Sequence, residues 1–176
     1  LSKTLRPLPE KFHGLTDTET RYRQRYLDLI MNEETRKVML TRSKIESFIR
    51  SYLEKNGFIE VETPVLQRNV SGASAKPFFT HHNALDAECN LRIATETWLK
   101  MCIGAGFDRV FELGKDFRNE GMDPSHLQEF TQVEWYASYW DFEDNIRFFK
   151  NMLPKLLKEC LGTTKVNYQG QEVEFD

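Results

Sequence analysis

"FDRVFELGKDFRNEGMDPSHLQEFTQVEWYAS", residues 107–138, decides the fold. Two strand-like runs flank a loop at 121–129 that contains Gly121, Asp123, Pro124 and Ser125. The reading predicts strands near 107–118 and 130–138 that pair directly and antiparallel, in a mainly antiparallel sheet. Side chains two apart on a strand share a face. One ribbon face would then present Arg118 and Glu120 together with Phe130, Gln132, Glu134 and Tyr136. That mixture suits a ligand better than a core. An arginine on a rigid strand holds phosphate or carboxylate through its planar fork. Glu120 can accept from an exocyclic amine, and Phe130 offers a flat face to a base. His126 and Lys115 add positive charge near a polyphosphate tail. Glu134 and Tyr136 form a separate acceptor pocket for an ammonium. The competing reading is a cross-strand salt bridge between Arg118 and Glu134 on a solvated sheet face.

Outward from the ribbon, residues 33–56 show the clearest helix. Val38, Thr41, Ile45, Phe48, Ile49, Tyr52 and Leu53 recur at three- and four-residue steps, and Asn56-Gly57 is a stop signal. This helix is expected to pack on the sheet. "FIEVETPVL" (58–66) alternates, with Ile59, Val61 and Thr63 on one face and Pro64 ending or edging the strand. Residues 70–80 read as a small-residue loop in which Gly72 lets backbone approach a ligand. Residues 90–106 start as a strand and continue as a helix capped by Thr95, running to Gly104 or Gly106. Residues 141–161 are helical from Asp141 or Asp144, and Pro154 is expected to break or kink them. "KVNYQGQEVEF" (165–175) reads as a hairpin about Gln169-Gly170. Residues 1–16 read as a linker or extended arm. Residues 17–32 read as a helix with Asp17 or Thr18 as N-cap. Its Arg21, Arg23 and Arg25 form either a solvated helix face or a contact with RNA or a partner subunit.

Composition sets the outer bounds. The chain has 176 residues, 40% hydrophobic and 29% charged, enough for one globular domain with a core. A net charge of −3 excludes a strongly basic nucleic-acid surface, though not a local patch. Cys89, Cys102 and Cys160 are far apart, show no CxxC spacing, and read as reduced cytosolic thiols. No zinc site or disulfide framework is supported, and no apolar run reaches membrane-helix length. The chain lacks an initiator Met and is expected to be a fragment.

These residues carry a resemblance. "GFIEVETPVL" (57–66) resembles motif 1 of class II aminoacyl-tRNA synthetases, and "RVFELGKDFRNEG" with "EFTQVEWY" resembles motif 2. "LRPLPEKFHGLTDTETRYRQRYLDLI" (5–30) resembles the linker after the anticodon-binding domain of class II lysyl-tRNA synthetases. "SGASAKPFFTHHNALD" (71–86) is similar to a loop of the lysine enzymes. The resemblance implies an α+β class II catalytic core, an antiparallel sheet flanked by helices, with motif 3 beyond residue 176. Residues 1–32 would be linker and helical arm, and 33–176 the front part of the catalytic domain.

The resemblance also implies roles. Arg118 would be catalytic, bridging the ATP α-phosphate and the amino-acid carboxylate. Glu120 would meet the adenine amine, His126 the γ-phosphate, and Phe130 would stack on adenine. Glu134 and Tyr136 would take the lysine ε-ammonium, and Gly72 and Glu96 the α-amino group. Pro64 would lie at a homodimer interface made by residues 33–66. The implied reaction is ATP-dependent activation of L-lysine to lysyl-adenylate and transfer to tRNA(Lys) in the cytoplasm. Magnesium would be held by ligands beyond residue 176. Thr95, Thr97, Trp98 and Ser71 depart from the commoner family pattern around the pocket. Two other classes stay open: a lysine ligase paralogue that modifies a protein, and a non-catalytic synthetase-like binding module.

Overall fold

The computed structural model describes residues 7–9 and 14–175. The outer parts of the expected linker, 1–6 and 10–13, lie outside the described residues. Among the described residues five helices and eight strands follow in order: α1 (Thr18–Arg23), α2 (Arg25–Met31), α3 (Glu33–Lys55), β1 (Ile59–Glu60), β2 (Leu66–Gln67), β3 (Phe79–His82), β4 (Ala87–Leu91), α4 (Glu96–Gly104), β5 (Arg109–Phe117), β6 (Glu129–Ala137), α5 (Phe142–Leu161), β7 (Lys165–Tyr168) and β8 (Gln171–Glu174). A short 3-10 turn, Asn83–Leu85, joins β3 to β4. The chain divides into two compact units, one of them Ile49–Met152 and the other the flanking segments.

The Ile49–Met152 unit is built on the expected ribbon. β5 and β6 pair antiparallel over nine residues, from Arg109 opposite Ala137 to Phe117 opposite Glu129. β1 adds to β5 in parallel, giving the order β1-β5-β6. A second sheet, β2-β4-β3, is antiparallel throughout. The "FIEVETPVL" run is not one strand. Only Ile59–Glu60 pairs with β5, and Val61 donates one further hydrogen bond to the Phe111 carbonyl (2.9 Å). Thr63 then gives its backbone N–H to the Glu112 carboxylate (3.2 Å) instead of a neighbouring strand. Pro64 has no N–H to offer, so the chain leaves β5 and pairs again only at Leu66.

The core sits on one face of the ribbon. Leu53 and Phe58 pack with Phe111 and Phe148, flanked by Leu113, Val133, Trp135, Ala137 and Trp140. A helix stop delivers Phe58 there. Gly57 takes φ +80°, donates to the Glu54 carbonyl (3.0 Å), and Phe58 donates to the Leu53 carbonyl (3.1 Å). This is a Schellman motif, and its usual apolar contact between the residues flanking the turn is Leu53 against Phe58. The last turns of α3 therefore pack on the ribbon as expected. α5 starts with a reciprocal cap: Asp141 Oδ1 accepts from Asp144 N–H (2.9 Å) and Asp144 Oδ2 accepts from Asp141 N–H (3.1 Å). Pro154 does not break α5, which runs on to Leu161. Buried Phe148, Met152 and Leu156 recur every four residues on either side of it, and such packing outweighs one lost backbone bond.

In the other unit, residues 17–32 form two helices, with Gln24 (φ −117°, ψ 58°) as the break. Asp17 caps the first, accepting from Thr20 N–H at 2.7 Å. The three arginines are paired within the segment. Arg21 (2.8 Å) and Arg25 (2.6 Å) both hold Asp28, and Arg23 holds Glu19 (2.5 Å). Hydrogen bonding from Asn32 first, then the two arginines, keeps the Asp28 carboxyl at about 2. Val38, Met39 and Leu40, at the front of α3, are exposed, so the apolar stripe is buried only in its later turns. β7 and β8 form the expected hairpin, with Gln169 (φ 52°) and Gly170 (φ 83°) both left-handed, as a two-residue primed turn requires.

Candidate active site

The register of the ribbon fixes what each face carries. Val110, Glu112, Gly114 and Asp116 of β5 lie opposite Tyr136, Glu134, Gln132 and Phe130 of β6. All eight share the face turned away from the Phe111 core. Arg118 follows β5 in the same alternation and extends the ladder by donating its N–H to the Gln128 carbonyl (2.9 Å). The predicted face is therefore assembled, and it carries two further polar positions absent from the expectation, Glu112 and Asp116.

At one end lies a cavity of about 290 Å³ lined by Arg118, Glu120, Ser125, His126, Leu127 and Phe130. It brings together the four residues that the resemblance assigns to ATP, Arg118, Glu120, His126 and Phe130. The Arg118 guanidinium lies 5.2 Å over the Phe130 ring and donates from Nε to the Ile93 carbonyl (3.3 Å). It makes no ion pair among the described residues, so the Arg118–Glu134 salt bridge is not formed. Glu120 accepts from the backbone N–H of Lys76 (3.3 Å). His126 pairs with Asp123 (2.7 Å) across the loop. Hydrogen bonds from Ser125 N–H and His126 hold the Asp123 carboxyl below its ordinary range. Lys115 faces away and pairs with Glu129 (3.0 Å), which corrects its expected place near a phosphate tail. Its odd parity puts it on the other face of β5.

Further along, Glu96, Gln132, Glu134, Tyr136 and Asn145 line a second cavity of about 410 Å³. Glu134 accepts from Gln132 and from the Tyr136 hydroxyl (3.3 Å). Burial pushes the Glu134 carboxyl above its usual value. The nearby Glu96 charge adds to this, while the Tyr136 and Thr95 hydroxyls and Arg118 act against it. The buried Thr95 hydroxyl has no hydrogen bond of good geometry among the described residues, so its effect on Glu134 is that of a nearby dipole. Thr95 stands at the N-cap of α4 but does not cap with its side chain. Burial, then the Glu134 charge, drives the Tyr136 hydroxyl well above the ordinary phenol value. Glu96 opens α4 and is paired with Lys100 (2.5 Å). Gly72 belongs here too. At φ +86° it passes so close that an added Cβ would lie 3.1 Å from Ala94 Cβ and 3.4 Å from Glu96 Cβ. Pro64 stands apart from both cavities, in an exposed apolar run with Val65 and Leu66.

Between the cavities the floor holds a buried ion cluster. Arg92, which follows β4, lies only 2% exposed and pairs with Glu112 (2.5 Å) and Asp116 (3.0 Å). It also donates to the Lys115 carbonyl (2.9 Å) and to the Thr63 carbonyl and hydroxyl (3.1 Å each). Gly114 makes the room: a Cβ there would meet Arg92 Nη2 at 2.5 Å. The signal in the sequence was Glu112 and Asp116 flanking Gly114 on the ligand face. Two buried acids demand a cation, and only a residue distant in sequence supplies it.

The match to a known family takes in this ribbon and nearly all of the rest of the chain. The model of the tRNA synthetases class II (D, K and N) matches residues 17–175. The chain belongs to the class II tRNA synthetases. Its relatives include a protein named lysine–tRNA ligase from Aquifex aeolicus, 55% identical over 175 residues, which cover 99% of this chain and 29% of the relative. Proteins of the same name from Thioalkalivibrio sulfidiphilus and Shewanella amazonensis are 52% and 54% identical. They cover 100% and 99% of this chain and 35% of each relative. This class II synthetase chain thus spans about a third of the length of these curated relatives. Its fold is the α+β arrangement expected of part of a class II catalytic core.

Proposed function

We propose that the protein activates L-lysine with ATP to lysyl-adenylate and transfers it to tRNA(Lys), a reading supported by relatives named lysine–tRNA ligase. The observation that carries this reading is the pairing of two cavities on one ribbon face. One joins a guanidinium to a stacking ring, and the other joins two carboxylates to a tyrosine hydroxyl. The lysine carboxylate must attack the α-phosphorus of ATP, and both groups are anionic. Arg118 holds them in line and screens the repulsion. Phe130 stacks on adenine, Glu120 accepts from its amine, and His126 meets the γ-phosphate. Glu134 and Tyr136 take the ε-ammonium, and Glu96 with the backbone at Gly72 takes the α-amino group. That amino group replaces Lys100 on Glu96. A neutral side chain would leave Glu134 unpaired in a half-buried site, at a cost of about 1–3 kcal/mol. No side-chain nucleophile is needed.

Magnesium use follows from the family. Among the described residues no group of three or more His, Cys, Asp or Glu is placed to hold a metal ion, so no residue here is assigned to it. Residues 1–32 serve as linker and helical arm and 33–176 as the front part of the catalytic domain. The paired arginines of α1 and α2 favour a structural role for that arm over direct RNA contact. The exposed Val38–Leu40 and Pro64–Leu66 runs support homodimerisation through residues 33–66. Sedimentation of the full-length protein as a monomer removes that part of the reading. Among the described residues no helix is long and apolar enough to cross a membrane. We place the protein in the cytoplasm, where tRNA is charged. Amino-acid-dependent exchange of pyrophosphate into ATP, run with all twenty amino acids, tests the whole proposal. Lysine alone should support exchange, and preference for another amino acid overturns the assignment.

A further inference from the structure

We propose that Asp116 is a positioning residue for Arg118, taking its guanidinium when a nucleotide base displaces it from Phe130. The inference rests on the nucleotide reading of the Arg118–Phe130 cavity. Asp116 lies on the ligand face directly opposite Phe130 and is 0% exposed. Neither of its carboxylate oxygens accepts a hydrogen bond from the described residues. Arg92 Nε lies 3.0 Å from Oδ1, but its N–H is spent on the Lys115 carbonyl, and Nη1 serves Thr63 and Glu112. The contact with Arg92 is therefore Coulombic only. A buried carboxylate without a donor is costly, and such a group calls for a partner in some state of the molecule.

Arg118 is the available partner. Its guanidinium has one long hydrogen bond among the described residues, to the Ile93 carbonyl, and the face of the Phe130 ring. A base stacked on that ring removes the second contact. The guanidinium must then turn toward the anionic reactants with a free N–H edge behind it. Asp116 stands on the same face, two residues before Arg118 and directly opposite the ring. The charges facing Asp116 are Arg92 from the β4–α4 connection, Glu112 on its own strand, Glu134 on β6, and Arg118. Burial first, then Glu134 and Glu112, raises its carboxyl to about 6, while Arg92 and Arg118 oppose the rise. A closer Arg118 shifts that balance further toward the carboxylate.

The test is a double-mutant cycle in the full-length protein, with ATP binding by calorimetry and pyrophosphate exchange as readouts. Asp116→Asn should weaken ATP binding about tenfold in the parent and less than about twofold in an Arg118→Ala background. Equal losses in both backgrounds mean that Asp116 serves only Arg92, and they overturn the proposal. Arg118→Ala with parental ATP affinity and exchange instead removes the nucleotide reading itself, which separates the two failures. If Asp116→Asn does not fold, a crystal structure of the parent with ATP decides. An Arg118 nitrogen within about 3.2 Å of an Asp116 oxygen supports the proposal. An Arg118 still lying on Phe130 overturns it.

Discussion

The two faces of the β5–β6 ribbon are made by the same eighteen residues and obey opposite rules. On one, Phe111, Leu113, Val133 and Trp135 meet Leu53, Phe58 and Phe148 in an apolar core. On the other, Glu112, Asp116, Gln132 and Glu134 share a sheet surface with Arg92 and Arg118. Both faces are largely shielded from water. The first is held by area removed from solvent, and the second by charge compensation, which contributes less to folding and more to geometry. Alternation along a strand lets one ribbon serve both ends. The core face fixes the backbone, and the backbone fixes the spacing of the charges.

Breaking the core face should cost the most stability. Phe111→Ala should destabilise the fold by about 3–5 kcal/mol, read from urea unfolding, because Phe111 is fully buried and its cavity cannot close against a sheet. A loss below about 1 kcal/mol would mean that the apolar face is not the anchor. Arg118→Ala belongs to the other face. It should raise the barrier to lysine-dependent pyrophosphate exchange by about 2–4 kcal/mol and change unfolding free energy by no more than about 0.5 kcal/mol. A large shift in melting with normal exchange would reverse the assignment of the two faces.

Glu134→Gln sharpens the contrast within the charged face. The change keeps shape and removes charge. Lysine activation should weaken at least about tenfold, roughly 1.4 kcal/mol, while ATP binding and the melting temperature hold. A lysine titration beside a thermal melt measures both. The raised Glu134 carboxyl adds a pH signature. The ammonium needs the carboxylate, so the lysine KM should rise as the pH falls into the acid range, with the ATP KM following a different curve.

Asp116 sets the charged face apart through its dependence on pH. Its carboxyl titrates near 6 in the folded chain against an ordinary value of 3.8. Between those values the folded state binds more protons than the unfolded one, so this group costs stability as the pH rises through the window and costs no more above it. Relative to the parent, Asp116→Asn should therefore gain stability from about pH 4 to about pH 6 and then level off. Denaturant midpoints at four pH values suffice, and a flat difference would place Asp116 outside the cluster's electrostatics. Asp28 is a counterexample in the same chain. Its carboxyl is held at about 2, so its contribution is lost only as the pH falls below its ordinary range.

Much of this was legible from residue order. The ribbon, its turn signals, the Asn56-Gly57 stop and the Gln169-Gly170 hairpin are local features, and local chemistry determines them. The charged parity of Arg118, Phe130 and Glu134 was legible for the same reason. Arg92 was not, because its role exists only once β4 and β5 are side by side. The pairing of Arg21 and Arg25 with Asp28 hid in a segment whose arginines alone suggested a basic patch. The strand over 58–66 failed where Thr63 found a side-chain acceptor in Glu112, a competition that no alternation pattern records. Pro154 misled in the opposite direction, since packing of the neighbouring turns overrode a local rule.

The 2.5 Å approach of Arg92 to the missing Cβ of Gly114 links two positions 22 residues apart. Neither can drift alone: a side chain at 114 evicts the guanidinium, and a shorter residue at 92 strands Glu112 and Asp116. In a library randomising both codons, survivors should come in matched pairs, glycine with arginine or a larger residue with a compact partner and altered acids. Four positions thus behave as one inherited character.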